Sequence, residues 1–412
     1  MVKEEIINAI DIGSSKVRTL VAKVIPDDPK PHIIGVGEAE ASGVRRGAIA
    51  DIEETVTSIS NSLEQAERVS GVPVQHAYIS VGGGHIISEA SRGVIAVARA
   101  DNEITEDDVG RAIEAASTIS LPQNHEILHI IPRNFTVDNQ SGIKNPAGMT
   151  GVRLEVEAII LEAPSSYVKN LVRCVNRVNV EVDDLVVAPL AAAQAALSKR
   201  QKELGVVLIN IGSGTTGVVI YEEGDLLHSF ILPVGSEHIT NDLAIGLRTS
   251  VDVAEKVKLE YGSATPSRFN RKDEINLQNL DEKEEGVVSS RQIAEVIEAR
   301  LVEIFSLINK ELKKIDRAGK LPAGAVLVGG GAKLPGIVEL AKNELKLPVR
   351  LGALREAEAV IEEVNDPSYA TAMGLIFWGM GHLEEQKSSG FNIGGVSDTV
   401  GKIRKFFKNF LP

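Results

Sequence analysis

A chain of 412 residues is too long for one small core, so two or more domains are expected. Its apolar share of 43% and charged share of 25% are those of a soluble globular protein, and its single cysteine, Cys174, excludes an internal disulfide framework and a thiolate metal site and fits a reducing cytosol. The formal charge of −13 argues against nucleic acid as the main partner, because phosphate binding needs a basic footprint.

The first residues, Met1 to Glu5, lead straight into an apolar run without the features of a signal peptide. No uncharged apolar run reaches the ~18 residues needed to span a bilayer. Strands are expected at Ile6–Asp11, Val17–Val24 and Ile33–Glu38, broken by Gly13-Ser14 and by Pro26-Asp27-Asp28-Pro29. Asp51–Ser70 reads as a helix, with Val56, Ile59, Leu63, Ala66 and Val69 at spacings of three or four and Gly71 as its stop. The stretch 84–162 has a different texture and reads as a small α/β insert. It holds two strand-like runs within 85–99, a helix opened by Thr105 with Asp108, more strands, and a Gly/Pro-rich loop from Ser141 to Gly151. Leu185–Leu197 reads as an Ala-rich helix.

A second strand-turn-strand unit begins at Val206 and resembles the first, which suggests an internal duplication. Residues 262–288 are polar and aperiodic and read as a long surface loop. Ser289 and Gln292 are placed as a capping box for a long helix whose stripe is Ile293, Val296, Ile297, Leu301, Ile304, Leu307, Ile308 and Leu312. The strand Ala325–Val328 runs into three glycines, and residues 383–399 read as a flexible linker.

Three motifs carry chemistry. In Asp11-Ile12-Gly13-Ser14-Ser15-Lys16, between two strands, small residues let backbone amides approach an anion, Lys16 supplies positive charge, and Asp11 can hold a metal-bound water. Asn210-Ile211-Gly212-Ser213-Gly214-Thr215-Thr216-Gly217 matches G-x-G-x-x-G, but a strand follows rather than a helix, so a dinucleotide fingerprint fails and a phosphate-cradling hairpin remains. Gly329-Gly330-Gly331-Ala332 at a strand-to-helix junction leaves room for a flat base or ribose against the backbone. His125-Glu126-Ile127-Leu128-His129 fits the zinc-protease pattern H-E-x-x-H, but that motif needs a helix. The β-rich run between Pro122 and Pro132 reads as a strand with ordinary histidines.

The final segment reads as an amphipathic helix. Val400, Ile403, Phe406, Phe407, Phe410 and Leu411 occupy one arc, and Lys402, Arg404, Lys405 and Lys408 lie opposite. A basic, aromatic-rich tip behind a polar linker on an acidic body fits an anionic membrane surface.

The three motifs, in this order, resemble the actin, heat-shock chaperone and sugar-kinase superfamily, and more closely the FtsA family of bacterial cell-division proteins. The resemblance runs through Ser42–Gly47, Ile127–Pro132, Asn145–Met149, Ala254–Lys258 and Gly329–Gly336 to the tail. It implies an α/β, actin-like, two-lobed fold with ATP and Mg²⁺ between the lobes. The nucleotide would be held by Asp11, Gly13, Ser14, Ser15, Lys16, Asn210, Gly212, Ser213, Gly214, Thr215, Thr216, Gly235, Glu255, Lys258, Gly329, Gly330, Gly331 and Ala332, with Asp11 on the metal. The implied division of the chain is a first lobe (1–83), the inserted subdomain (84–162), a return with a connecting helix (163–204) and a second lobe (205–235). The second lobe's outer subdomain (236–325) and the adenosine motif with the return to the core (326–382) follow. The linker (383–399) and membrane helix (400–412) close it.

The resemblance also implies a cytoplasmic protein, peripheral on the inner face of the cell membrane at the division site, that tethers FtsZ and polymerises. The C-terminal peptide of FtsZ would bind the lobe holding 236–325, with Arg291 and Arg300 as candidates, and the insert would contact later division proteins. Asn210 and Gly217 stand where the family usually has Asp, so slow or absent ATP hydrolysis is expected and no catalytic residue is assigned. Two alternatives share the fold: a type IV pilus platform protein of the PilM kind, which would not need the tail, and a small-molecule kinase, which would need a carboxylate base.

Overall fold

The computed structural model describes residues 4–388, apart from 26, 27, 29, 119–121, 271, 272, 283, 285, 356, 360 and 361. The expected helix at 400–412 and the linker beyond 388 lie outside the described residues.

The chain opens with the strands β1 (Glu5–Ile12), β2 (Lys16–Val24) and β3 (His32–Glu40), a short hairpin of β4 (Val44–Arg45) and β5 (Ala48–Ile49), helix α1 (Ile52–Ser70) and β6 (His76–Val81). The insert follows: β7 (Ile87–Ala96), α2 (Glu106–Ser117), β8 (His125–Val137), β9 (Gln140–Ile143) and β10 (Arg153–Pro164). Then come α3 (Ser165–Arg177), β11 (Glu181–Val187), α4 (Ala188–Ala196) and α5 (Lys199–Leu204), leading to β12 (Val206–Ile211), β13 (Thr216–Glu222), β14 (Asp225–Leu232), α6 (Ser236–Leu247) and α7 (Val251–Tyr261). A small hairpin of β15 (Glu274–Asn276) and β16 (Val287–Ser289) precedes α8 (Ser290–Lys314), β17 (Ala325–Val328), α9 (Ile337–Leu345), β18 (Val349–Leu351), β19 (Glu358–Ala359) and α10 (Ala370–Ser388).

The expected duplication is a symmetry of the sheets. The first lobe runs β11-β6-β1-β2-β3-β19 and the second β18-β17-β12-β13-β14. In both, the opening hairpin is antiparallel, its second strand pairs antiparallel with the third, and its first strand pairs parallel with a later one. Both faces of these sheets are covered, so their strands are nearly continuous apolar runs. Along β12, Val207, Ile209 and Ile211 face a core with α6, α7, α8 and α9, whereas Val206 and Leu208 face the core shared with α4 and α10.

Helices α4 and α10 lie between the two sheets. Their crossing is possible because α10 offers Gly374: a Cβ there would lie 1.8 Å from the Ala191 carbonyl oxygen of α4. The all-alanine stretch 191–193 is fully buried on the other side of that contact.

Local signals set most ends. Asp51 caps α1, accepting from Glu54 N–H at 3.0 Å, and Gly71 closes it in the left-handed region with its N–H donating to Glu67 O. Thr105 and Asp108 form the expected capping box. Five readings change. Leu185–Val187 is strand, not helix, because β11 pairs in parallel with β6; the helix begins only at Ala188, with Pro189 in its first turn. Residues 85–99 hold one strand, β7, paired along its length with β10. The expected loop 262–288 contains the β15–β16 hairpin. Ser289 begins α8 without a side-chain cap; its place in β16 and the Ser290 N–H bond to Asp273 O fix the entry instead. Helix α10 runs through Ser388, past the start of the expected linker at 383.

The insert is a sheet, β7-β10-β8-β9, backed by α2 around its own core of Val109, Ile113, Phe135, Leu154 and Val156. It is fastened to both lobes. His129 of β8 accepts the Val187 N–H on Nε2 at 3.1 Å, at the entrance to α4. Lys144, just beyond β9, forms an ion pair with Asp225 of β14. The H-E-x-x-H segment is therefore strand, as its β-rich run indicates, and among the described residues no group of three metal-ligating side chains exists.

Because Nε2 of His129 accepts an amide proton, the ring is neutral. Burial, opposed by Asp184 and reinforced by His382, pushes its pKa down to about 4 from an ordinary 6.5. The unfolded chain therefore binds the extra proton between those values. This contribution is complete above about pH 6.5 and is lost as pH falls toward 4, on the order of 3 kcal/mol in all. His129→Gln, which keeps an acceptor, should flatten the pH 4–6.5 limb of a stability profile measured by urea unfolding. A limb as steep as the wild type's would exclude His129 as its source.

Candidate functional site

Two hairpin turns face each other across the gap between the lobes. In the β1–β2 turn Gly13 N–H donates to Lys16 O at 3.1 Å; in the β12–β13 turn Gly212 N–H donates to Thr215 O at 2.9 Å. The tips meet: Gly214 packs against Ser14, whose Oγ accepts the Gly47 N–H at 3.0 Å. The second turn is braced by the start of α6, where Ser236 and Glu237 N–H groups donate to Gly212 and Ser213 carbonyls, each at 2.9 Å.

Between the turns lies a cavity of about 690 Å³, well within the size range of ligand sites. Asp11, Gly13, Ser14, Ser15 and Lys16 line it from the first lobe. Asn210, Gly212, Ser213, Thr215, Glu255, Lys258, Gly329, Gly330 and Gly331 line it from the second. Four expected residues stand behind this wall. Gly214 is the turn tip, Thr216 is fully buried with Oγ1 donating to Val234 O at 2.8 Å, Gly235 packs on the outside of the second turn, and Ala332 is buried beneath the third glycine loop.

Sequence reasoning missed Arg18, Ser80, Pro189, Lys333, Ser368 and Thr371, which also line the cavity. Ser80 arrives through the pairing of β6 with β1, and no local pattern reveals it. Arg18 had a signal: it shares a strand face with Lys16 two residues on.

The electrostatics divide the cavity. Burial pushes the Asp11 carboxyl above its ordinary range, with the Ser80 hydroxyl (2.7 Å) and Arg18 working against that. Burial would also raise Glu38, but Arg18, whose Nε donates to it at 2.9 Å, and Lys16 outweigh it and hold the carboxyl low. Lys258 is buried and its ammonium contacts Glu255 at 2.6 Å and Thr240 Oγ1 at 2.8 Å. Asn210 Nδ2 donates to Thr371 Oγ1 at 3.0 Å, and a Cβ on Gly217 would stand 3.3 Å from Pro189. The two positions where the resemblance implies Asp are thus an amide committed to α10 and a glycine tucked against α4.

A nucleotide with its cation fits these residues. Backbone amides of two turns face one volume, Gly330 presents bare backbone with nothing within 4 Å of where a Cβ would stand, and Asp11 is a desolvated carboxyl with no cation bonded to it among the described residues.

The two partner candidates are occupied internally. Arg300 forks onto Asp242 through Nε (2.6 Å) and Nη2 (2.8 Å), and Arg291 Nε donates to Glu295 at 3.0 Å. It is α6 that brings Asp242 against the Arg300 guanidinium.

Two lobes of one strand plan, paired glycine turns and a helix pair between them make this an actin-like protein. The fold is shared with a PilM-PilN type IV pilus biogenesis complex (TM-score 0.65, 16% identity, 90% of this chain and 98% of that one). It is shared too with MreB 5 of Spiroplasma citri bound to AMPPNP (TM-score 0.55, 14% identity, 94% and 99%). The profile described as cell division protein FtsA matches residues 207–374, and that of the SHS2 domain inserted in FtsA matches 83–161. The cell division protein FtsA of Borreliella burgdorferi is 39% identical over 90% of both chains. The chain belongs to the FtsA family of cell-division proteins; its likeness to the pilus protein extends to the fold alone.

Replacing Gly330 tests the cavity without testing the fold, since a Cβ there would have nothing within 4 Å apart from its chain neighbours. Gly330→Val should leave thermal unfolding unchanged and weaken ATP at least tenfold in calorimetry, about 1.4 kcal/mol. Unchanged ATP affinity would remove the third loop from the site.

Proposed function

We propose that the chain binds ATP with Mg²⁺ between its lobes, polymerises, and tethers FtsZ to the inner face of the cell membrane at the division site. The observation that carries the nucleotide reading is the pair of glycine turns opening, with the third glycine loop, onto one cavity. The amides of Ser14, Ser15, Ser213 and Thr215 would hold the phosphates, Lys16 and Lys258 would add charge, and Asp11 would hold the cation through water. The AMPPNP bound to the MreB 5 relative in fold supports the same ligand class.

The same geometry supports slow or absent hydrolysis. Asn210 cannot accept a proton and spends its amide on Thr371, and Gly217 has no side chain, which leaves Asp11 as the carboxylate of the phosphate side. Phosphate release well below ~1 s⁻¹ is expected, and a steady-state rate in the ordinary enzyme range would refute this.

Membrane attachment is assigned to residues 400–412. Among the described residues no helix is long and apolar enough to cross a membrane; what supports attachment through the tail is its apolar arc opposite Lys402, Arg404, Lys405 and Lys408. Each apolar side chain entering the acyl boundary contributes up to roughly 1.5–3 kcal/mol, and each cation near anionic lipid about 1 kcal/mol. Wild-type protein should float with anionic vesicles, and replacing Phe407 and Phe410 with Glu should leave it in the soluble fraction with its thermal unfolding unchanged. Flotation of that variant, or none by the wild type, would defeat the reading. FtsZ binding by the outer second lobe, and contacts of the insert with later division proteins, rest on the family. Arg300 enters that site only by exchanging Asp242 for a partner carboxylate, so Arg300→Glu also breaks a half-buried internal ion pair, and Arg291, whose pair with Glu295 is more exposed, is the cleaner probe.

A further inference from the structure

Ser80 lines the cleft between the lobes from near the end of β6. That strand runs parallel to β1 with Ala9 opposite Tyr78 and Ile10 opposite Ile79, so the next step of the register sets Ser80 beside Asp11. The residue is buried and its hydroxyl is fully used. Oγ accepts the Ile12 N–H at 3.0 Å and donates to Asp11 Oδ1 at 2.7 Å. A serine hydroxyl has one proton, and here it goes to Asp11, so none is left for a ligand in the cleft.

The two bonds grip β1 at neighbouring residues, one through the backbone and one through the side chain. The hydroxyl is therefore pinned to the strand and cannot follow the carboxyl if it turns. A carboxylate is otherwise loosely held, because its last torsion is broad and roughly two-fold. Arg18, opposite Asp11 in the β1–β2 register, gives its Nε to Glu38 at 2.9 Å instead. Among the described residues Ser80 is the one side chain hydrogen-bonded to Asp11, and Oδ2 is the oxygen left over for the cleft that Asp11 lines.

We propose that Ser80 is a positioning residue: it holds the Asp11 carboxylate in the orientation that meets a divalent cation, and so couples ATP binding to Mg²⁺. The inference rests on the reading of the cleft as a site for ATP with Mg²⁺, and adds to it a residue that reaches the cation only through Asp11. Removing the hydrogen-bond partner of a metal-binding group costs roughly 10–100-fold in metal affinity. With the cation held through water, the lower end of that range, about tenfold, is expected here.

ATP is titrated calorimetrically into the full chain, once with saturating Mg²⁺ and once with EDTA, and the ratio of the two affinities is the readout. General loosening of the cleft lowers both affinities together and leaves the ratio unchanged. Mg²⁺ should strengthen ATP binding to the wild type, and Asp11→Ala should reduce that ratio. Ser80→Ala should reduce it about tenfold, and Ser80→Thr, which keeps the hydroxyl, should restore most of it. Adding Ser80→Ala to Asp11→Ala should change the ratio no further. Ser80→Cys, which fills the space with a weak donor, should also lower the ratio and replaces the alanine variant if that does not fold. A wild-type ratio in Ser80→Ala or Ser80→Cys, a ratio no higher in Ser80→Thr than in Ser80→Ala, or a further loss in the double variant would overturn the role of Ser80 alone. A wild type that binds no ATP, or binds it equally with and without Mg²⁺, would overturn the reading of the cleft and this inference with it.

Discussion

The crossing of α4 and α10 is the constraint on which the rest of the molecule depends. The two sheets share one core through these helices, and the helices meet at a point where one backbone touches the other. Only the missing side chain of Gly374 permits that approach to Ala191. A methyl group there would force the helices apart in an interior packed too densely to absorb it, at a cost of about 1–3 kcal/mol or more. Since the first turn of α4 packs Pro189 against Gly217 just after the second turn and α10 carries Thr371 to Asn210, the same contact sets the distance between the lobes' glycine turns.

Placement of those turns is otherwise a matter of strand register. Each is a short turn between two antiparallel strands, closed by the same glycine-to-carbonyl hydrogen bond. Duplication of one sheet plan thus yields two amide-lined concavities, and folding them face to face produces a volume with phosphate-binding character on both sides. The lobes differ chemically at equivalent positions: Asp11 on one side, Asn210 on the other. The cavity is consequently asymmetric in charge although its backbone is nearly symmetric.

Much of this was legible in the sequence, because it was written in short-range patterns. The glycine turns, the strand runs, the Asp51 and Thr105 caps and the stripe of α8 each depend on residues within one or two turns of chain. What was not legible depended on distant pairing. Leu185–Val187 has a composition suited to either element and becomes strand only because β6 offers an edge. Ser289 looks like a cap until the β15–β16 hairpin captures its backbone. Ser80 and Thr371 enter the cavity, and Asp242 neutralises Arg300, through contacts spanning 69, 161 and 58 positions, which no local window contains.

The insert's double attachment has a mechanical consequence. It grips one lobe through His129 at the threshold of α4 and the other through Lys144 on Asp225. Two bodies joined by a hinge and spanned by a strut form a closed linkage, in which no member turns alone. Any rotation of the lobes about the ligand between them must either swing the insert as a lever or part the Lys144 ion pair. As long as both attachments hold, a displacement of either lobe is therefore passed on to the insert.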